Sequence, residues 1–273
     1  MPKILKKKKT ASEIVAAARG LKKVTANELI DGIFDDFFEL HGDRKYSDDE
    51  AIIGGIALFN GIPITVIATD KGGTPEERIA KHFGCPEPSG YRKSLRLMKQ
   101  AEKFNRPIVT FVNTSGAYPG RSAEENGQGE AIARNLLEMS DLKVPIISFI
   151  YGEGGSGGAL ALACGDQVWM LEDSMYSILS PEGFASILWK DQEGKRVQEA
   201  TSLMKLTAQD LYEAHIIDQI IHEDLKGATV ESYEVYRQIK EYLKENIKEL
   251  QKLSTNQLIN KRYEKYRKIG QVF

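Results

Sequence analysis

An α/β fold is what this sequence predicts, on three observations. From about residue 50, the short apolar runs "AIIGGIALF", "IPITVIATD", "PIVTFVNT", "VPIISFI" and "DQVWMLE" alternate with segments whose apolar residues recur at helical spacing. Capping signals stand at the starts of several of those segments. Two glycine-rich stretches, 113–129 and 151–166, lie where an apolar run passes into a helical one.

Residues 10–40 read as short helices. Thr10 or Ser12 caps the first, and Thr25 with Glu28 has capping-box spacing before "LIDGIFDDFFEL", whose Phe34, Phe37, Phe38 and Leu40 need a surface to pack on. Ser89 caps a helix through Tyr91, Leu95 and Met98 that stops before Pro107. Ser122 and Glu125 form a capping box for "AEENGQGEAIARNLLEM", with Ile132, Leu136 and Met139 on one face. Gly127 and Gly129 inside it cost about 1 kcal/mol each against alanine, which implies a close approach to its first half. "SPEG" reads as a helix start with Ser180 as cap and Pro181 in the first helical position. "TAQDLYEAHIIDQII" reads as helix, turn and strand, with His215 in the turn. Residues 228–268 carry Val235, Ile239, Tyr242 and Leu243 at helical spacing, an amphipathic pattern that needs its own core or another subunit to cover it. The division is an α/β domain over 46–225 between helical extensions at 1–45 and 226–273.

A chain of 273 residues, 41% hydrophobic, can bury a sizeable core. With 37 basic and 39 acidic residues, no global field steers it to nucleic acid. Cys85 and Cys164 form no CxxC pair, which argues against a disulfide framework and a cysteine-rich metal site. No apolar run is long enough to span a membrane and the N-terminus lacks a signal-peptide core, so a cytoplasmic protein is expected. The Lys6–Lys9 run reads as a solvated end, with phosphate or partner contact as the functional alternative.

The chemistry concentrates in "NTSGAYPGRSAEENGQG" and "YGEGGSGGALALACGD", the second with five glycines among residues 152–158. In each, glycines turn the chain and a helix begins with free N–H groups, a ready anion site. The second lacks the lysine and Ser/Thr of a P-loop. It matches G-x-G-x-x-G at Gly152, Gly154 and Gly157, but it comes late in the α/β region, and Glu172 and Asp173 begin a turn, so a dinucleotide site is the lesser reading, as is a flexible surface loop. The stronger one is backbone amides held for an oxygen that becomes negative during reaction. Ser115 and Ser156 lie in the turns, while His41, His82, His215 and His222 lie elsewhere, so a Ser/His arrangement requires the fold to bring them together. Arg92, Lys93, Arg96, Lys99 and Lys103 make a basic stripe, a solvated face in the simpler reading and an attractor of phosphates or an acidic protein in the functional one.

"FFELHGDR", "GYRKSLRLMKQAEKFNRPI", "NTSGAYPG", "EAIARNLLEMSDLKVPIISFIYGEGGSGGALALACGD" and "YSILSPEGFASILWKD" together resemble the carboxyltransferase α subunits of bacterial acetyl-CoA carboxylase, over about residues 30–222. The wider resemblance is to the crotonase-like (ClpP/crotonase) superfamily, which implies a spiral of ββα units. It also implies transfer of the carboxyl group of carboxybiotin, borne on a separate carrier protein, to acetyl-CoA, giving malonyl-CoA for fatty-acid synthesis. Carried over by motif, the amides of Gly154 and Gly155 would be the oxyanion hole, and Gly116 and Ala117 the second turn. Tyr118, Ser156, Gly157 and Gly158 would line the substrate pocket, with Arg92 and Arg96 on the substrate side. The implied partners are a β subunit bearing a zinc ribbon, in an α2β2 assembly, with biotin carboxyl carrier protein and biotin carboxylase; no metal is implied in this chain. The alternatives are a carboxyltransferase for another acyl-CoA, a crotonase- or Clp-like serine hydrolase using Ser115 or Ser156, and a scaffold or regulatory subunit.

Overall fold

A computed structural model describes residues 9–223 and 233–271. Helices α1 (Ala11–Ala18) and α2 (Ala26–Ile33) open the chain, each with a capping box, Thr10 with Glu13 and Thr25 with Glu28. The second helix stops at Ile33, and Asp35–Glu39 form strand β1 where the sequence predicts helix. β1 pairs antiparallel with β2 (Ile52–Phe59) through a bulge between Asp35 and Phe38. The open edge of β2 supplies backbone partners that a one-segment pattern does not reveal, and the aromatic run suits an extended chain.

β3 (Ile62–Thr69) and α3 (Pro75–Ala80) lead to α4 (Pro88–Lys103). Glu87 rather than Ser89 is the cap residue of α4, and Asp49 Oδ2 accepts from the Glu87 N–H at 2.8 Å. After β4 (Ile108–Thr114), the single helix expected from Ser122 is two, α5 (Arg121–Glu125) and α6 (Gln128–Asp141). Gly127, with φ +84°, takes the left-handed conformation that breaks the helix and starts α6. Nothing comes within 4 Å of where a Gly129 side chain would begin, so the close approach expected there is absent.

β5 (Ile146–Gly155), α7 (Ser156–Leu160), β6 (Gln167–Leu171) and β7 (Met175–Ser177) follow. Then come α8 (Pro181–Trp189), capped by Ser180 as expected, α9 (Val197–Leu203), α10 (Ala208–Glu213) and β8 (Gln219–Ile221). His215 sits in the turn before β8 with φ +55°. α11 (Tyr233–Gln251) and α12 (Thr255–Lys268) end the described chain. Lys6–Lys8 lie outside the described residues.

The mixed sheet runs β1-β2-β3-β4-β5-β6-β8, antiparallel through β3 and parallel beyond it. β6 pairs the first part of β5, at 147–150, and β7 takes over at 153–155. Alternation along the inner strands feeds two cores. Val109, Phe111, Ile147, Phe149, Tyr151 and Trp169 face α2 and α11, while Ile108, Val112, Ile146, Ile150 and Met170 face α4, α6 and α7. Val235, Ile239 and Leu243 of α11 are buried in the first core, so the amphipathic face is covered by this chain's own sheet.

α12 is locked by one buried ion pair. Arg262 donates through Nε and Nη2 to both Asp166 oxygens at 2.8 Å, and to the carbonyls of Met139, Leu142 and Val144 at 2.8–3.1 Å. Asp166 also accepts the Ile146 N–H at 2.8 Å, so the pair fixes the start of β5. Arg262→Leu leaves a buried carboxylate without its cation and is expected to lower unfolding stability by about 3–5 kcal/mol in denaturant titration.

Candidate functional site

The parallel strands β4 and β5 end at one edge of the sheet, with Thr114 in register with Gly154. The turns that follow them, 114–118 and 154–158, touch backbone to backbone. A Cβ on Gly155 would lie 2.1 Å from the Ser115 carbonyl oxygen, and one on Gly158 would lie 2.4 Å from the Ala117 nitrogen and 2.7 Å from the Gly116 carbonyl carbon. Gly152 leaves room in the same way for Asn113 Oδ1, which accepts the Glu153 N–H at 3.0 Å. Close approach therefore accounts for much of the bare backbone.

The N–H groups divide unexpectedly. Gly154 and Gly155 are the last residues of β5, paired with Tyr176 and Ser177 of β7, and the helix begins only at Ser156. This moves the free helix-start amides from Gly154 and Gly155 to Gly157 and Gly158, which have no acceptor among the described residues. α7 has only five residues, so these are individual donors rather than the end of a long dipole. In the first turn, the Gly116 N–H is bonded to Thr114 Oγ1 at 3.1 Å, and the same hydroxyl donates to the Gly116 carbonyl at 2.7 Å. The Ala117 N–H has no acceptor among the described residues. Gly116 has φ +148°, a backbone shape open to glycine.

Ser156 is exposed and has φ +57°, a conformation that costs a non-glycine residue energy and concentrates at functional sites. It is the centre of a G-x-S-x-G run, Gly154 to Gly158, on a strand-to-helix turn, a signal legible in the sequence but missed there. No histidine completes it. His41 is bonded to Asp48, His82 is stacked on Tyr118 with ring centroids 4.2 Å apart, and neither Ser156 nor Ser115 has a histidine hydrogen-bonded to it among the described residues. The Ser115 hydroxyl instead meets Cys85 Sγ at 3.2 Å. The Tyr118 N–H donates to the Pro86 carbonyl at 3.0 Å, and its carbonyl accepts from Gln128 Nε2 at 3.0 Å.

Behind the second turn lies a charged brace absent from the sequence reading. Glu153, 5% exposed, is paired with Lys71 and, at 2.8 Å, with Arg19, which also reaches Glu182 at 2.7 Å. Burial pushes the Glu153 carboxyl up, but the two cations outweigh it and hold it below its ordinary value. α1 and α8 are thereby tied to the strand that presents the turn.

In the basic stripe of α4, Lys99 and Lys103 are exposed, as on a solvated face, whereas Arg92, Lys93 and Arg96 are engaged by this chain's own groups. Arg92 donates to Asp43 at 2.7 Å and to the Asn126 carbonyl at 3.1 Å, and Arg96 to the carbonyls of Gly42 and His41 at 3.0 and 3.3 Å. Lys93 is buried against Asp48 and the Ile52 carbonyl. They hold the loop before β2. Among the described residues, no group of three His, Cys, Asp or Glu side chains is placed to hold a metal, and no helix is long and apolar enough to cross a membrane.

A family model described as acetyl co-enzyme A carboxylase carboxyltransferase-like matches residues 3–270. The chain belongs to this family. The acetyl-coenzyme A carboxylase carboxyl transferase subunit alpha of Streptococcus pyogenes serotype M5 (strain Manfredo) is 58% identical over 257 residues, 94% of this chain and 98% of its own. Its counterpart in Streptococcus equi subsp. zooepidemicus (strain MGCS10565) is 57% identical over the same shares. In fold, the chain resembles the transcarboxylase 12S core (TM-score 0.68, 19% identity, 86% of this chain and 44% of that one). It also resembles the P. aeruginosa geranyl-CoA carboxylase beta subunit (TM-score 0.65, 15% identity, 91% and 46%). The chain thus spans under half of each of these solved structures. The crotonase-like carboxyltransferase fold is the one expected from the sequence motifs.

Two outcomes test the carboxyltransferase-like site as built. Gly155→Ala has no room beside Ser115 and is expected to lose about 1–3 kcal/mol in chemical denaturation, whereas Gly157→Ala, whose nearest neighbour is 3.6 Å away, keeps or gains stability. Glu153, held below its ordinary 4.5, contributes stability above that pH and loses it as pH falls through its lower folded value. The stability gap between wild type and Glu153→Gln, followed by urea titration at stepped pH, is therefore expected to be widest above pH 4.5 and to close on acidification.

Proposed function

We propose that this chain is the carboxyltransferase α subunit of an acetyl-CoA carboxylase, moving a carboxyl group from carboxybiotin on a carrier protein to acetyl-CoA to form malonyl-CoA, the committed step of fatty-acid synthesis. The observation that carries the reading is the contact of two turns that leave the Ala117 N–H and those of Gly157 and Gly158 unpaired, beside a Gly158 with no side chain. Such fixed donors stabilise an oxygen as charge develops on it, and their orientation requires no reorganisation at that moment.

The residues fit a carboxylated biotin in one testable respect: bare amides of the kind an oxygen gaining charge needs are present, and among the described residues no histidine or carboxylate is hydrogen-bonded to either serine. Bound carboxybiotin supplies the carboxyl group and, after giving it up, the base for the acetyl-CoA methyl proton. This chain's own part is to hold Ala117, Gly157 and Gly158 as donors, with Gly154 and Gly155 letting the second turn seat against the first. Tyr118 closes the pocket edge, and Ser156 presents the strained turn. Arg92 and Arg96 act through the loop they hold. We assign acyl-CoA binding chiefly to a β subunit carrying a zinc ribbon, in an α2β2 complex served by biotin carboxyl carrier protein and biotin carboxylase in the cytoplasm. In this reading 46–225 is the catalytic unit and 1–45 and 226–273 brace it, with Arg19 reaching the site strand from the first extension.

The test is reconstitution with the β subunit and an assay of malonyl-CoA-dependent carboxylation of biocytin. Wild type is active only with its partner. Gly155→Val falls by on the order of 10²–10³-fold as the turns are forced apart, while Ser156→Ala stays within about threefold. An inactive wild-type complex, or abolition by Ser156→Ala, sinks the reading, the latter in favour of a serine nucleophile.

A further inference from the structure

Tyr91, in the first turns of α4, is fully buried with its ring against Ala117, Ala131, Ile132 and Ala161. Its hydroxyl has no hydrogen-bond partner among the described residues. For folding alone that is the wrong residue, since a buried hydroxyl without a partner destabilises and phenylalanine would fill the same space without it. The hydroxyl's position supplies a reason. A Cβ on Gly158 would lie 2.7 Å from Tyr91 Oη, 2.7 Å from the Gly116 carbonyl carbon and 2.4 Å from the Ala117 nitrogen. Hydroxyl and Gly116–Ala117 peptide thus both lie against the bare face of Gly158.

That peptide carries the Ala117 N–H at one end and the Gly116 carbonyl at the other. Its carbonyl already accepts the Thr114 hydroxyl at 2.7 Å and has a second lone pair. A donor to the carbonyl polarises the peptide and strengthens its N–H as a donor in turn.

We propose that Tyr91 is a positioning residue for carboxyl transfer, its hydroxyl donating to the Gly116 carbonyl when an oxyanion engages the Ala117 N–H, so that two hydroxyls reinforce one amide. Burial keeps Tyr91 protonated, as a donor must be. Thr114 sets the peptide beforehand, and Tyr91 adds its bond only as charge develops, which accounts for a buried hydroxyl with no standing partner among the described residues.

The inference rests on the carboxyltransferase reading, and the wild-type α/β complex, measured first, separates the two. The experiment compares it with Tyr91→Phe, recording kcat and KM in the biocytin assay and the melting temperature of each complex. The expected result is a kcat about tenfold lower, a KM for malonyl-CoA changed less than about twofold, and a melting temperature equal to or above wild type. Difluorotyrosine at position 91, which keeps the hydroxyl and makes it a better donor, is expected to retain kcat within about twofold. An unchanged kcat in Tyr91→Phe shows the hydroxyl to be idle and overturns the proposal. So does a fall in kcat accompanied by a fall in melting temperature, which marks a purely structural bond, or an equal loss with difluorotyrosine. A wild-type complex without transfer activity removes the carboxyltransferase reading and this inference with it.

Discussion

Two stretches of main chain pressed together with nothing between them is the constraint on which the rest of the structure depends. The Gly155 and Gly158 α-carbons meet the backbone of Ser115, Gly116 and Ala117 at distances that leave no room for a methyl group. Main-chain contact of this kind needs the ends of β4 and β5 to be in register, and the Thr114–Gly154 pairing provides it. It also needs the segment leaving the second turn to be anchored. The hydroxyls of Thr110 and Ser148, one from each strand, both donate to the Leu162 carbonyl, at 2.6 and 3.0 Å. The strands that set the register therefore also fix the exit of α7.

Charge is used for bracing rather than for chemistry. Glu153, Asp166, Lys93 and Arg262 are all buried, and each is met by an opposite charge or by several backbone groups. Buried pairs add little net stability relative to apolar packing, but losing one partner is expensive, so they fix geometry more than they deepen the energy well. Glu153 lies directly before the second turn, and Asp166 bonds the first residue of the same strand. β5 is thus held near both ends by ions, and the two glycines that close it carry no side chain.

The sequence was most legible where structure is local. The caps at Thr10, Thr25 and Ser180 and the turn at His215 are set within a few residues. Strand positions followed from apolar runs, because both faces of the sheet are covered. The misreadings share a cause. The Phe-rich segment 34–38 became a strand because β2 offered an edge, and Asp49, distant in sequence, took the place of Ser89 at the start of α4. Arg92 and Arg96 looked available because Asp43 and the loop carbonyls that hold them lie about fifty residues away.

The site shows the same division. By itself the sequence determined that glycine-rich turns follow two strands, that no cysteine pair stands ready for metal, and that the motifs are those of a carboxyltransferase family. Residue order settles these things, since a glycine lacks a side chain in any fold. Only the tertiary structure decided which amides are free. Gly154 and Gly155 stand beside β7 and Gly116 is bonded to Thr114, while Ala117, Gly157 and Gly158 stay open. Whether an N–H has a partner depends on what the folded chain sets opposite it, and that partner is not written at the glycine.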